Sequence, residues 1–228
     1  MVINRKLYAV HRWIAAIAMV QLAIWNATGL FFAVVPLAEV RGEDRTVEAK
    51  PIAIPWDTVK APPTEHARGA EQVTLQVVDG KPRYVVKFAQ RRIALDASTG
   101  QPTEIDAETA KRIARRDQAQ SPAVLAVTRV NETTVEYRRK PLPAWRVDLD
   151  DGRGTRCYVD AISGQVTARR NDTWRIFDFF WSLHIMDYGD RSNFNHPLLV
   201  IAALFGLITV LSGMVLWGVR LRRRFQKA

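Results

Sequence analysis

Three of the chain's four histidines, His11, His184 and His196, lie in or beside its most apolar stretches. His11 opens an apolar run in "YAVHRWIAA", His184 falls within the aromatic segment "WRIFDFFWSLHIMDYG", and His196 directly precedes Pro197. A neutral imidazole offers one ring nitrogen as a lone-pair donor, and imidazole at membrane depth is the usual axial ligand of haem b. His11, His184 and His196 are therefore the candidate cofactor-binding residues. The competing reading needs no metal: His11 rests among the headgroups on one side of a bilayer, and His184 and His196 among those on the other. Haem needs an imidazole on each face of its iron. A bilayer of about 30 Å separates His11 from the other two, so one chain does not sandwich a haem between His11 and His184. A symmetric dimer, pairing helices from two chains into a four-helix bundle, supplies the missing ligands.

Two charge-free runs position these side chains, Trp13 to Leu37 and Pro197 to Val219. Each is long enough to cross a bilayer as a helix. Ala15 and Ala18 accompany His11 on the first, while Gly206, Thr209 and Gly213 form a stripe of small residues on the second, suited to close packing. Arg5, Lys6 and Arg12 precede the first run; Arg220, Arg222, Arg223, Arg224 and Lys227 follow the second. These cations account for most of the formal net charge of +10. Lys and Arg next to membrane segments stay cytoplasmic, so both termini are expected inside a bacterial inner membrane and the middle in the periplasm. The excess charge suits anionic lipid, and no basic, aromatic-studded face points to nucleic acid. The first run is longer than a signal peptide's apolar core and lacks a small-x-small cleavage site, so it is expected to be a retained anchor.

The expected divisions are 1–12 (cytoplasmic N-terminus), 13–37 (first transmembrane helix), 38–172 (periplasmic domain), 173–196 (interfacial aromatic segment), 197–219 (second transmembrane helix) and 220–228 (basic tail). Within 173–196, Phe177, Trp181, His184 and Tyr188 share one face of a helix. Trp and Tyr favour the bilayer interface.

The middle of the chain is a duplication. "RIALDASTGQ" (Arg92 to Gln101) and "RCYVDAISGQ" (Arg156 to Gln165) share a short alternating strand, Asp-Ala, and a turn closing on Gly-Gln. Asp96 and Asp160 are suited to bonding the turn backbone, and Gly100 and Gly164 to positive φ. The repeats cover about 52–103 and 104–170. In the first, Trp56–Gly69 reads as a weak helix broken by Pro62 and Pro63, followed by strands at Val73–Val78, Arg83–Phe88 and Arg92–Asp96. Asp79-Gly80 marks a hairpin. In the second, Asp106–Gln118 reads as a helix with an Ala107, Ala110, Ile113, Ala114 stripe. Strands at Val124–Val130, Thr133–Tyr137, Ala144–Leu149 and Thr155–Asp160 follow. The fold class is α+β: a helix plus a small antiparallel sheet, twice, inserted between two transmembrane helices.

This domain carries no catalytic constellation. Ser98, Ser121 and Ser163 lack the partners of a nucleophile, and His66 sits in a polar turn. Asp148, Asp150 and Asp151 surround Gly152 in a solvated turn rather than a cation site. Cys157 is the only cysteine, so no disulfide forms within the chain, and its strand setting makes it a buried, inert thiol.

The order of motifs resembles the PepSY-associated transmembrane family over essentially the whole chain, in a short two-helix form. The resemblance rests on "HRW" opening the first helix, "PLAEVRGE" closing it, "AETAKRIA" ahead of "YVDAISGQV", and "WRIFDFFWSLHIMDYGDRSNFNHPLL" running into "LSGMVLWG". It implies a periplasmic PepSY-like domain carried on inner-membrane helices. Larger relatives have about four membrane helices and include ferric-siderophore reductases whose membrane histidines bind haem. His11 and His184 match family histidines, and the resemblance makes them the metal ligands; His196 has no counterpart there. This chain has two helices rather than four, and no nicotinamide or flavin fingerprint. The implied function is transmembrane electron transfer through haem b in iron assimilation, as a homodimer or with another membrane subunit, delivering electrons to a ferric siderophore. That would make it a haem-dependent ferric-chelate reductase or an accessory subunit of one. The alternative is a non-catalytic, membrane-anchored module that binds or regulates a periplasmic protein partner.

Overall fold

The computed structural model describes residues 5–48 and 52–226, with side chains from Tyr8 onward. Lys227, and the side chains of Arg5 and Lys6, lie outside the described residues. In chain order, α1 (Arg5–Val34), α2 (Leu37–Val40) and α3 (Thr64–Ala67) precede β1 (Gln72–Val78), β2 (Lys81–Lys87), β3 (Arg92–Asp96) and β4 (Pro102–Thr103). Then come α4 (Ala107–Asp117), β5 (Ala123–Val130), β6 (Ala144–Asp150), β7 (Arg156–Asp160), β8 (Val166–Arg170), α5 (Asp172–Ile185) and α6 (Pro197–Phe225). Leu37–Arg175 forms one compact unit; the stretches up to Pro36 and from Ile176 form another.

The central unit is α+β, with two antiparallel four-stranded sheets in the orders β1-β2-β3-β4 and β5-β6-β7-β8. Asp106 caps α4 by accepting the Thr109 N–H at 2.7 Å. The stripe of α4 then covers the second sheet: Ala110 and Ala114 are fully buried against Val147, Leu149, Cys157 and Val159. Tyr84, Val86, Leu95 and Ala97 make a separate core on the first sheet. The β1–β2 hairpin turns at Asp79 and Gly80, both at positive φ (52° and 78°), which matches the right-handed twist of the strands it joins.

The duplicated turns agree bond for bond. Asp96 N–H donates to Gln101 O and Gly100 N–H to Asp96 O; Asp160 N–H donates to Gln165 O and Gly164 N–H to Asp160 O. The side chains then diverge. Asp96 stays local, accepting from Ser98 and Thr99. Asp160 accepts from Ile162 N–H and the Ser163 hydroxyl, and also receives the Arg92 guanidinium of the first repeat at 2.6 and 3.2 Å. Burial alone would raise the Asp160 pKa; the bonds from Arg92, Ser163 and Ile162 outweigh it and hold the carboxyl below its ordinary value.

Two expected elements differ. Trp56–Gly69 is helical only at Thr64–Ala67, because Pro62 and Pro63 lack N–H donors and bias the residues before them toward extended backbone. Thr133–Tyr137 is a turn rather than a strand. Val135 is exposed, and only Tyr137 is buried: it stacks on Tyr158 at 4.6 Å and its hydroxyl bonds Pro141 O and Thr167. The fourth strand of that sheet is β8 instead.

In the other unit, α1 and α6 pack together. Tyr8–Val34 and Pro197–Phe225 are both long and apolar enough to cross a membrane. Ala18 and Thr28 on α1, and Thr209 and Leu216 on α6, are buried, while most large apolar side chains of both helices point outward. Phe31 and Phe32 of α1 meet α5 through Phe31–Phe180 (4.9 Å between ring centres) and Phe32–Phe177 (4.8 Å). Phe177 and Trp181 stack one turn apart on α5. Tyr188 leaves that face, because α5 stops at Ile185 and Met186 takes φ +55°. The Asp187 carboxylate then gathers the backbone N–H groups of Asn193, Ser192 and Gly189, which hold its pKa at about 2. This loop delivers the chain to Pro197, whose fixed φ suits the first turn of α6.

Candidate functional site

Two of the three singled-out histidines are held by the same device. His184 Nδ1 stands 2.8 Å from Thr28 Oγ1. That hydroxyl also stands 2.8 Å from Ile24 O, one turn back along α1. A carbonyl only accepts, so the hydroxyl proton goes to Ile24 O and the imidazole must donate from Nδ1 to satisfy both contacts. In the neutral ring the lone pair then sits on Nε2. Trp25 Nε1–H donates to His184 O at 2.9 Å and fixes the backbone, while Phe32 meets the ring edge-on at 5.4 Å. Burial pushes the His184 pKa down, toward the neutral form that binds metals.

His11 repeats the arrangement near the other end of α1. Its Nδ1 stands 2.9 Å from Ser212 Oγ, and Ser212 Oγ donates to Thr209 O at 2.9 Å. Again Nδ1–H is the donor and Nε2 keeps the lone pair. Gly213 lies beside the ring: a Cβ there would be in ordinary contact with His11 Cε1 and Nε2 at 3.5 Å. A cleft of about 390 Å³ opens beside the imidazole, walled by Ile14, Ile208, Val215 and Leu216.

His196 is different. It occupies the cap position of α6 without capping it, and its Nδ1 is buried without a hydrogen-bond partner. Nor are the histidines gathered. At 1.5 Å per residue, His11 and Thr28 are roughly 26 Å apart along α1, so His11 and His184 occupy separate levels. Among the described residues no three His, Cys, Asp or Glu side chains converge on a point. Thr28 and Ser212 were not legible as site residues, since each is one hydroxyl in an apolar helix and its histidine lies 156 or 201 positions away.

In the central unit, His66 is half-buried and lies 3.6 Å from Glu65. Burial pushes the Cys157 thiol up to about 12, which keeps it protonated and unreactive. A polar cluster surrounds Glu136, which accepts from Arg156, Arg175 and the Tyr158 hydroxyl.

The motif order and the two terminal apolar helices are matched by a family model described as the PepSY-associated TM region, over residues 8–228. The chain belongs to the PepSY-associated TM region family. Comparison with curated proteins and with solved structures gave no match.

For a PepSY-associated transmembrane chain, haem is the group to test against the residues present. The donor set fits. Each of two histidines presents Nε2 with its other nitrogen engaged by a fixed acceptor, the arrangement that orients metal-binding imidazoles, and the surroundings are apolar. Among the described residues, each level supplies one such imidazole.

Proposed function

We propose that this protein holds b-type haem at two levels, on His11 and on His184, and passes electrons across the bacterial inner membrane to periplasmic ferric chelates. The observation that carries the reading is the repeated lock: two imidazoles near opposite ends of α1, each donating Nδ1–H to a hydroxyl that is itself bonded to its own helix. A histidine that only lines a headgroup layer needs no such constraint. Bound haem would supply one-electron chemistry; the protein's part is to fix the imidazoles, exclude water with the Phe32 and Trp25 rings beside His184, and space the two levels along one helix. A homodimer, or a second membrane subunit, completes each pair of ligands. His196 would be a third, auxiliary ligand at the level of α6's first turn. Arg12 and the Arg220–Arg224 cluster favour cytoplasmic termini and a periplasmic central unit.

The test is the visible spectrum of the detergent-purified protein expressed with haem supplied, oxidised and dithionite-reduced. A Soret band that falls by about half in His11→Ala and again by about half in His184→Ala supports the reading, because each level then holds its own haem. A colourless wild-type protein in its native oligomer overturns it.

A second reading has its own observation. The outer edge of β5 is unpaired in the sheet, Leu125 on it is 68% exposed, and a cleft of about 330 Å³ lies between Leu125, Arg156 and Arg175. Such an edge accepts an added strand, which fits a module that docks a periplasmic protein. A colourless protein whose Leu125→Lys variant loses a co-purifying partner would favour it.

A further inference from the structure

We propose that two copies of this chain pair through one face of α1, with Asn26 of each bonded to Asn26 of the other. Met19, Ala23, Asn26, Leu30 and Ala33 follow one another at spacings of four, three, four and three residues. All five are exposed, so they form a continuous seam along α1 that the other described residues leave uncovered. That spacing is the a/d pattern of a heptad, which keeps facing a partner helix as the two wind around each other. The small side chains of Ala23 and Ala33 let two such backbones approach closely.

Asn26 names the occupant. Its Nδ2 donates to Leu22 O, one turn back on its own helix, at 2.7 Å. That uses one N–H; the other, and the Oδ1 acceptor, remain unspent. Thr28, two positions on, is buried and bonded, whereas the Asn26 amide looks outward. Arg12 and Glu39 are the nearest charged residues along the chain, 14 positions before it and 13 after. The amide therefore faces the bilayer interior, where water is absent and an acyl chain offers neither donor nor acceptor. Two copies inserted the same way run parallel, and a two-fold axis along the bilayer normal sets every seam residue opposite its own counterpart. Asn is the one member of the seam whose side chain both donates and accepts. Its copy thus supplies what it lacks, with an N–H given to Oδ1 in each direction. A different protein would need its own amide or hydroxyl at this depth, which a second copy has by symmetry. The single polar position also fixes the register: sliding one helix by a heptad would set Asn26 against Met19 or Ala33. The pairing does not rest on the haem reading; it identifies the surface by which the homodimer named there would form.

The experiment uses the full chain in its membrane, with the one native thiol removed by Cys157→Ala. Leu30→Cys and Ile17→Cys are introduced singly and oxidised with copper phenanthroline. Ile17 is also exposed, at 66%, but lies about 140° around the helix from Leu30 at 3.6 residues per turn. Leu30→Cys is expected to give about fivefold or more disulfide-linked dimer than Ile17→Cys, because only the seam brings two copies within bonding distance. Sedimentation equilibrium in detergent then compares variants of Asn26 without any added cysteine. Asn26→Leu should weaken the dimer about tenfold, and Asn26→Gln, which keeps an amide, much less. Both readouts are the same with or without haem. A monomeric wild-type chain would overturn the proposal, as would equal cross-linking at the two positions or an Asn26→Leu dimer as tight as wild type. Leu30→Cys cross-linked to a different protein instead of to its own copy would overturn it too.

Discussion

Thr28 and Ser212 each set which nitrogen of a histidine carries the proton, and that role separates them from ordinary packing residues. Thr28→Val keeps shape and removes the acceptor; the His184 Nδ1–H is then unsatisfied and the ring shifts toward the other tautomer. Histidine ¹⁵N chemical shifts in the full-length protein should show this change in Thr28→Val and not in Thr28→Ser; identical spectra would refute the assignment. Ser212→Ala should do the same for His11. The histidines themselves stood out in the sequence because imidazoles are rare in apolar runs. Their hydroxyl partners did not, because nothing local to Thr28 or Ser212 encodes a contact made only when α1 meets α5 or α6. Asp160 shows the same limit. Its turn was legible from the repeat, but its bond to Arg92 was not, because the equivalent Asp96 makes no such bond. Arg92→Met leaves a carboxylate that is 1% exposed without its cation, and about 3 kcal/mol of stability should be lost by denaturant titration.

Among the elements, the two copies of the strand-turn motif share a backbone but differ in what surrounds it. Gly100 and Gly164 both need positive φ, and a Cβ at either would collide with a different neighbour, Pro63 Cγ at 2.7 Å in the first copy and Val78 Cγ1 at 2.4 Å in the second. At Gly80, also at positive φ, nothing lies within 4 Å. Gly164→Ala should therefore lower the thermal midpoint of the central unit more than Gly80→Ala, because it adds a collision to the same backbone strain; equal shifts would contradict this packing. The strands and α4 were legible because their periods of 2 and 3.6 are carried by burial on one face. Thr133–Tyr137 misleads because its alternation does not report burial: Val135 is exposed and only Tyr137 enters the core. The element bonds also give the unit an acid limit. Asp160, Glu136 and Asp151 all have pKa values below the ordinary range: burial opposes this, and hydrogen bonds from Arg92, Arg175 and Thr155 respectively prevail. Carboxylates depressed on folding stabilise above their unfolded values, near pH 4, and lose that contribution as pH falls through the folded ones. Thermal midpoints of the central unit should hold steady down to about pH 5 and drop as the pH falls below about 4. A midpoint that rises over that window would reverse the sign.

For the whole molecule, α1 carries the imidazole of one level and α5 that of the other, while the outward faces of α1 and α6 stay apolar with Met19, Val20, Leu207 and Met214 exposed. Two helices make half of a four-helix bundle, and a second copy would cover part of that surface while doubling the ligands at both levels. Membership in the PepSY-associated TM region family was legible from motif order alone. The proposed pairing of imidazoles between two chains was not, because no motif within one sequence encodes which imidazoles of two copies meet. Electron paramagnetic resonance of the oxidised, detergent-purified oligomer, combined with haem quantification, tests this most directly. The account predicts about one haem per chain with a low-spin signal from two imidazoles on each iron. A high-spin signal from singly ligated iron, or protein that binds no haem when haem is supplied, would contradict it.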